Sequence, residues 1–334
     1  MLPKIMFFFL MCFSLVIVEQ NAIAQEAPVT QKEADTTSEK APAAQKEADA
    51  TSEEAPATQE EWNPPSAGPI TTWTAPLCGK ARFVIQPFFF YSHTRGEFDA
   101  KGHYNSLSKG DKEYQFQQQL FLQYGIIDRL EVDAQAVFQE NYIKQGGASA
   151  HANGFGDSFL FLRYCALDEK KWFPQITALL QLKMPTGKYQ HEDSEKLGAD
   201  LMGTGSWDPG FGVIVTKKLK PFIFHADVTY SFPQRVRING VKTWYANYLN
   251  CDVAVEYFLP KGFNLMVEAN AFFQEDIKAD GVRIPNSAVK YLIIAPAIGW
   301  SCDKFQILLG YQRVVMGTNT DANDSLALTC VYTF

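Results

Sequence analysis

The segment from Glu113 to Tyr124, EYQFQQQLFLQY, sets Tyr114, Phe116, Leu120, Leu122 and Tyr124 on one face and Gln115, Gln117, Gln119 and Gln123 on the other. Successive side chains of a strand point to opposite sides, whereas a helix mixes these two sets, so the pattern specifies a strand with one apolar and one polar side. The same alternation runs from Leu130 to Phe138, from Phe222 to Tyr230 and from Phe263 to Phe273. Read in this way, the chain predicts further strands near 81–92, 157–166, 174–184, 207–216, 244–258, 289–300, 304–315 and 325–334, twelve in all. Each has roughly the 9 to 11 residues that a tilted membrane-spanning strand requires.

The connections follow a rule of their own. After every second strand they are short, at 126–129, 167–171, 217–221, 260–262 and 302–304. The others, at 93–112, 141–155, 185–206, 232–243, 275–287 and 316–324, are longer and rich in Gly, Asp, Asn, Lys and Ser. Short turns alternating with long loops on an even number of strands predict a transmembrane antiparallel β-barrel of the outer-membrane kind, all-β, with both of its ends in the periplasm. Tyr91, Tyr124, Tyr164 and Phe263 fall near strand ends on the expected lipid face, where rings favour the interface. Outer-membrane lipids are therefore the expected surroundings. The last strand, SLALTCVYTF, ends on Phe334 and resembles the signal read by the barrel-assembly machinery, an expected partner.

Composition agrees with interleaving. Hydrophobic residues make up 46% of the chain, yet mean hydropathy is −0.16, and beyond residue 24 no apolar run approaches the roughly 18 residues of a spanning helix. A net charge of −7 argues against nucleic acid as a partner. Residues 1–24 read as a signal peptide, with Lys4, an apolar run from Ile5 to Val18, and the small-x-small site Ala22-Ile23-Ala24. Residues 25–79 read as a disordered acidic tail and linker in the periplasm, and 80–334 as the barrel. The tail repeats QKEADTTSEKAPAA as QKEADATSEEAPAT and carries ten acidic residues against three lysines between Gln25 and Glu61. It offers too little apolar surface to offset its ordering entropy. The remainder, from Trp62 to Phe334, is balanced at 26 acidic and 26 basic residues.

On the faces assigned to the lumen, Glu131, Asp133, Asp252 and Glu256 lie in the periplasmic half, with Asp227 and Glu268 higher. The basic candidates are Arg82, Arg163, Lys183, Lys290 and Arg313, placed to pair with these acids across a narrow barrel. Phe88, Phe90, Phe121, Phe159 and Phe161 give the same interior an apolar path, extended by Leu292 and Ile294 in the tenth strand. Such a lining suits passive passage of small hydrophobic or aromatic solutes better than a water-filled porin does. Pro87, expected on the lipid face, and Pro296, expected in the lumen, each remove a ladder donor and predict weakened seams. The competing expectation is a structural or adhesive barrel with a plugged lumen and interaction loops.

Other chemistry is sparse. Cys78, Cys165, Cys251, Cys302 and Cys330 show no metal-ligand spacing, and no disulfide is expected. The five histidines are scattered, so no cofactor or metal is expected. His225, Asp227 and Ser231 share a luminal face but read as polar lining, and no His-x-Ser pair marks an outer rim as in outer-membrane phospholipases, so no enzyme is expected. No pattern in the chain sets an oligomeric state.

A series of short motifs adds a resemblance. Gly154-Phe155-Gly156-Asp157 opens the fourth strand, followed by Arg163-Tyr164, Met184-Pro185-Thr186-Gly187 and Gly203-Thr204-Gly205-Ser206. From about residue 81 to the end, the chain resembles the outer-membrane family labelled meta-pathway phenol degradation proteins, often called transporters. The resemblance implies a barrel that admits aromatic or other hydrophobic substrates. The glycines themselves read as tight loop geometry and close strand approach.

Overall fold

The computed structural model describes residues 62–334. The expected signal peptide and the acidic repeat lie outside the described residues. Twelve long strands form the barrel: β1 (Phe83–Phe98), β2 (Lys112–Ile127), β3 (Leu130–Gln145), β4 (Ser158–Leu167), β5 (Gln175–Met184), β6 (Asp208–Leu219), β7 (Phe222–Ser231), β8 (Tyr248–Phe258), β9 (Phe263–Gln274), β10 (Val289–Cys302), β11 (Phe305–Thr318) and β12 (Thr320–Thr333). Each pairs antiparallel with its neighbour in sequence, and β12 returns to β1, with Phe88 opposite Thr329 and Tyr91 opposite Leu326. Closure leaves no open edge, the condition for extended backbone to survive in lipid.

Alternation sets the two faces as the sequence implies. Along β8, Val253, Val255 and Tyr257 are exposed while Ala254 and Glu256 are buried. Along β7, Phe224 and Val228 are exposed while Ile223, His225, Asp227 and Thr229 are buried. An apolar exterior around a polar and aromatic interior is inverted relative to a water-soluble fold and matches a hydrocarbon surround. This yields a direct test. Val253, 53% exposed in mid-strand, faces lipid, so Val253→Arg is expected to cost about 2–4 kcal/mol in urea unfolding from lipid vesicles. An unchanged unfolding midpoint would contradict that placement.

Two expected loops are strands instead. β3 continues to Gln145 and pairs with a short returning strand, Ala148–Phe155, through 141–155. β11 and β12 meet at Asn319, whose φ of 50° makes the turn, so 316–324 is mostly ladder. On their inward side these hairpin tips carry mostly small residues such as Ala150, Ala152 and Ala322, so hydrophobic periodicity is faint there, but strand pairing still satisfies their backbone groups.

The tenth strand corrects the sequence reading. Tyr291, Ile293 and Ala295 pair with the inward Phe272, Asn270 and Glu268, which turns Lys290, Leu292, Ile294 and Pro296 outward. Ala295 is fully buried and Pro296 is exposed. The run Tyr291 to Ala295 is apolar on both sides, so alternation alone gives it no phase. Both seam prolines interrupt a ladder. Pairing of β1 with β12 skips from Ile85 to Phe88 around Pro87, and pairing of β10 with β11 skips from Ile294 to Ala297 around Pro296.

Candidate functional site

The segment preceding β1, SAGPITTWTAPLC from Ser66 to Cys78, belongs with the linker in the sequence reading. In the structure it runs inside the barrel. Pro69 and Pro76 deny it a continuous ladder, so its backbone N–H groups must find acceptors elsewhere. The luminal acids supply them. Ser66 Oγ donates to both carboxylate oxygens of Glu256, at 3.1 and 2.9 Å. The Glu268 carboxylate accepts the N–H groups of Ile70, Thr71 and Thr72 at 2.8, 3.0 and 2.8 Å, and both threonine hydroxyls at 3.0 Å. Asp227 accepts from Trp73 N at 2.9 Å, and Glu131 from Cys78 N at 2.6 Å. Each of these N–H and O–H groups thereby finds an acceptor away from water.

The same segment uses its carbonyls. Arg163 Nη1 donates to Thr74 O at 3.0 Å and Thr177 Oγ1 to Ala75 O at 2.7 Å. Arg163, 1% exposed, also pairs with Glu131 and, at 2.8 Å, with Asp133. Below, Glu256 is held by Asn264 Nδ2 at 2.7 Å and lies 2.8 Å from His225 Nε2. Burial, reinforced by the Glu131 carboxylate, pushes the Cys78 thiol up to about 12.

Above the segment lies a cavity of about 820 Å³. Trp73 forms part of its floor, edge-on to Phe161 at 4.9 Å and Phe121 at 5.7 Å between ring centres. Phe88 and Phe90 stack at 6.0 Å, and Phe159 and Phe161 at 5.8 Å, along the wall made by β1, β2 and β4. Tyr248, Phe272 and Tyr291 line the opposite side. The charges around it are mostly spent on one another: Lys183 Nζ sits 2.5 Å from Asp208 and 3.6 Å from Asp157. Asp252, opposite Asp227 in the β7–β8 register, also lines the cavity.

The structure thus brings Phe88, Phe90, Phe121, Phe159, Phe161, Lys183 and Asp252 together around the cavity, with Glu131, Asp133, Asp227, Glu256 and Glu268 beneath it. Lys290 does not join them. It stands exposed on the outer face opposite Phe273. Arg82 and Arg313 are also exposed, Arg313 lying 3.7 Å from Asp324 on the outside. The luminal occupant itself escapes sequence reasoning, since a Pro- and Thr-rich stretch has no periodicity. With Arg82, Lys290 and Arg313 outside, the interior acids outnumber the buried cations Arg163 and Lys183, and the segment supplies the missing donors.

The glycine motifs resolve into loop geometry at the rim. Asp157 accepts N–H groups from Gly187 and Thr204 at 3.2 and 2.9 Å, folding the two ends of the 185–206 loop together. A Cβ on Gly203 would approach the Gly187 backbone to 2.8 Å, so only glycine permits the contact.

A closed antiparallel barrel with an apolar exterior, whose first strand begins and last strand ends beside the short turns, defines an outer-membrane β-barrel protein. Residues 91–329 match the family described as "Putative MetA-pathway of phenol degradation", and the chain belongs to it. Its fold is similar to that of an outer-membrane channel from Pseudomonas putida, with a TM-score of 0.65 and 16% identity over 80% of this chain and 100% of that one. A weaker likeness, TM-score 0.43 and 11% identity over 77% of this chain and 89% of that one, is to the translocator domain of the autotransporter NalP from Neisseria meningitidis. A search of curated protein sequences finds no match.

Proposed function

We propose that this protein is a passive outer-membrane channel for small hydrophobic or aromatic molecules. The observation that carries this reading is the cavity of about 820 Å³ walled by Phe88, Phe90, Phe121 and Phe161 and floored by Trp73. Aromatic rings bury large apolar area and reward edge-on or offset contact with another ring, so the wall favours an aromatic solute over water. The neighbouring glutamines Gln86, Gln119, Gln123 and Gln135 supply hydrogen bonds for a hydroxyl-bearing solute without adding charge. Flux follows the gradient. The ladder gaps at Pro87 and Pro296 support sideways exit into the bilayer, because the segment beneath the cavity obstructs the straight path.

The test is uptake into liposomes. Vesicles holding the full mature chain are expected to take up small phenolic and aliphatic compounds faster than empty vesicles. Phe121→Asn combined with Phe161→Asn is expected to slow the phenolic uptake by about 5- to 150-fold, from two lost ring contacts of roughly 0.5–1.5 kcal/mol each. Uptake no faster than in empty vesicles would overturn the proposal. It would favour the second reading, a structural or adhesive barrel, which draws support from the segment filling the periplasmic half.

A further inference from the structure

Two surface loops build a second, smaller sheet outside the barrel. The β7–β8 connection supplies the short strands Val236–Ile238 and Val241–Trp244, and the β9–β10 connection supplies Lys278–Ala279 and Val282–Arg283, all paired antiparallel in that order. Residues directly opposite across a ladder share a face, as do residues two apart along one strand. Arg237 is opposite Lys242, Trp244 is opposite Lys278, and Lys278 is opposite Arg283. One face therefore carries Arg237, Lys242, Trp244, Lys278 and Arg283, while Val236, Ile238, Val241, Ala279 and Val282 occupy the other.

The charge on the basic face is only partly cancelled. Arg283 is taken up by Asp276, at 2.5 and 2.6 Å. Asp280 sits in the turn and accepts the backbone N–H of Lys242 at 3.0 Å. Among the described residues, no ion pair takes up Arg235, Lys242 or Lys278. These three converge with Trp244, Asp280 and Gly281 on a cavity of about 150 Å³. Lys278 Nζ stands 4.7 Å from the centre of the Trp244 ring, and the indole N–H donates to Pro233 O at 3.0 Å, which fixes the ring's orientation. Three cations around one small cavity, against the single carboxylate of Asp280, leave an excess of positive charge that a bound anion relieves, and a polar, charged rim beside a fixed aromatic wall fits a charged sugar better than a bare ion.

We propose that this face binds the phosphorylated saccharide headgroup of lipopolysaccharide in the surrounding outer leaflet. The ammonium and guanidinium groups of Arg235, Lys242 and Lys278 take the phosphate oxygens, and Trp244 gives the sugar ring an apolar wall. Position agrees with charge. The sheet rises from the long-loop end of β7 to β10, the end away from the short turns, and so stands on the side where phosphorylated headgroups are exposed.

The experiment measures binding of purified lipopolysaccharide to the full mature chain in detergent at low and high salt. Wild type is expected to bind in a salt-sensitive way, and the Arg235→Gln, Lys242→Gln, Lys278→Gln triple variant about ten- to a hundredfold more weakly. Val282→Gln, on the opposite face, is expected to bind as wild type does. Wild type is likewise expected to lose affinity for phosphatase-treated lipopolysaccharide, an arm that needs no variant to fold. Equal binding of treated and untreated lipopolysaccharide, or a heat-modifiable triple variant that binds as tightly as wild type, would overturn the proposal. Wild type that binds inorganic phosphate but not lipopolysaccharide would overturn the headgroup assignment.

Discussion

Deletion of residues 66–78 is expected to raise the single-channel conductance of the protein in planar bilayers by roughly tenfold or more, as an occupied twelve-stranded lumen becomes a water-filled one. The expectation follows from what the segment occupies. Ile70 and Ala75 are buried in the luminal core with Phe88, Phe121, Phe161, Leu179 and Leu308, and Trp73 packs against the same cluster. The barrel is closed without this stretch, because β1 begins at Phe83 and pairs with β2 and β12 on either side. Removing the segment also uncovers Glu131, Asp227, Glu256 and Glu268, each of which has lost its backbone or hydroxyl donor. With Arg163 the buried cation beside them and Lys183 paired higher up with Asp208, the opened pore is expected to prefer cations, since a ring of carboxylates selects by charge. Conductance equal to that of the intact chain, from a deletion variant that still shows heat-modifiable migration, would contradict this picture.

Arg163→Leu is expected to destabilise the barrel by about 3–5 kcal/mol, the usual cost of removing one partner from a buried ion network. Arg163 and its partners Glu131 and Asp133 are almost wholly removed from solvent, and the same guanidinium holds Thr74 O. Without it, two carboxylates remain side by side away from water with no cation between them. Neutralising both, in the triple variant Arg163→Leu, Glu131→Gln, Asp133→Asn, is expected to recover most of the loss, because the penalty belongs to the stranded charges rather than to the missing contact. Urea unfolding from lipid vesicles measures both. A single variant as stable as wild type would show that the network carries no such load.

Much of the barrel was legible in the sequence because a lipid exterior and a polar interior impose a period of two on every spanning strand. Val253 and Glu256 in β8, or Leu265 and Glu268 in β9, announce their sides by chemistry alone. The reading failed where both sides share one chemistry. Tyr291 to Ala295 is apolar on each face, so Lys290 was phased inward when its partner in the ladder, Phe273, points out. The tips at 141–155 and 316–324 carry small inward residues such as Ala150, Ala152 and Ala322 among polar ones, so their ladders carried only a faint hydrophobic signal. The luminal segment is the larger omission. Its burial rests on hydrogen bonds from irregular backbone to Glu268 and Asp227 and from the Ser66 hydroxyl to Glu256, which no local pattern encodes. The basic sheet face was invisible for a related reason, since Arg235, Lys242 and Lys278 come from two loops that meet only in the fold.

The central claim is that the chain occupies its own lumen between Ser66 and Cys78, leaving an aromatic cavity above. Thr72 Oγ1 and Asn270 Nδ2 lie 3.4 Å apart across that contact. The most direct measurement is oxidative cross-linking of Thr72→Cys with Asn270→Cys, with the native cysteines replaced. The folded barrel is expected to form the bridge, giving a faster-migrating band on an unreduced denaturing gel that reductant abolishes. A folded, heat-modifiable barrel in which residues 72 and 270 never cross-link would contradict the account.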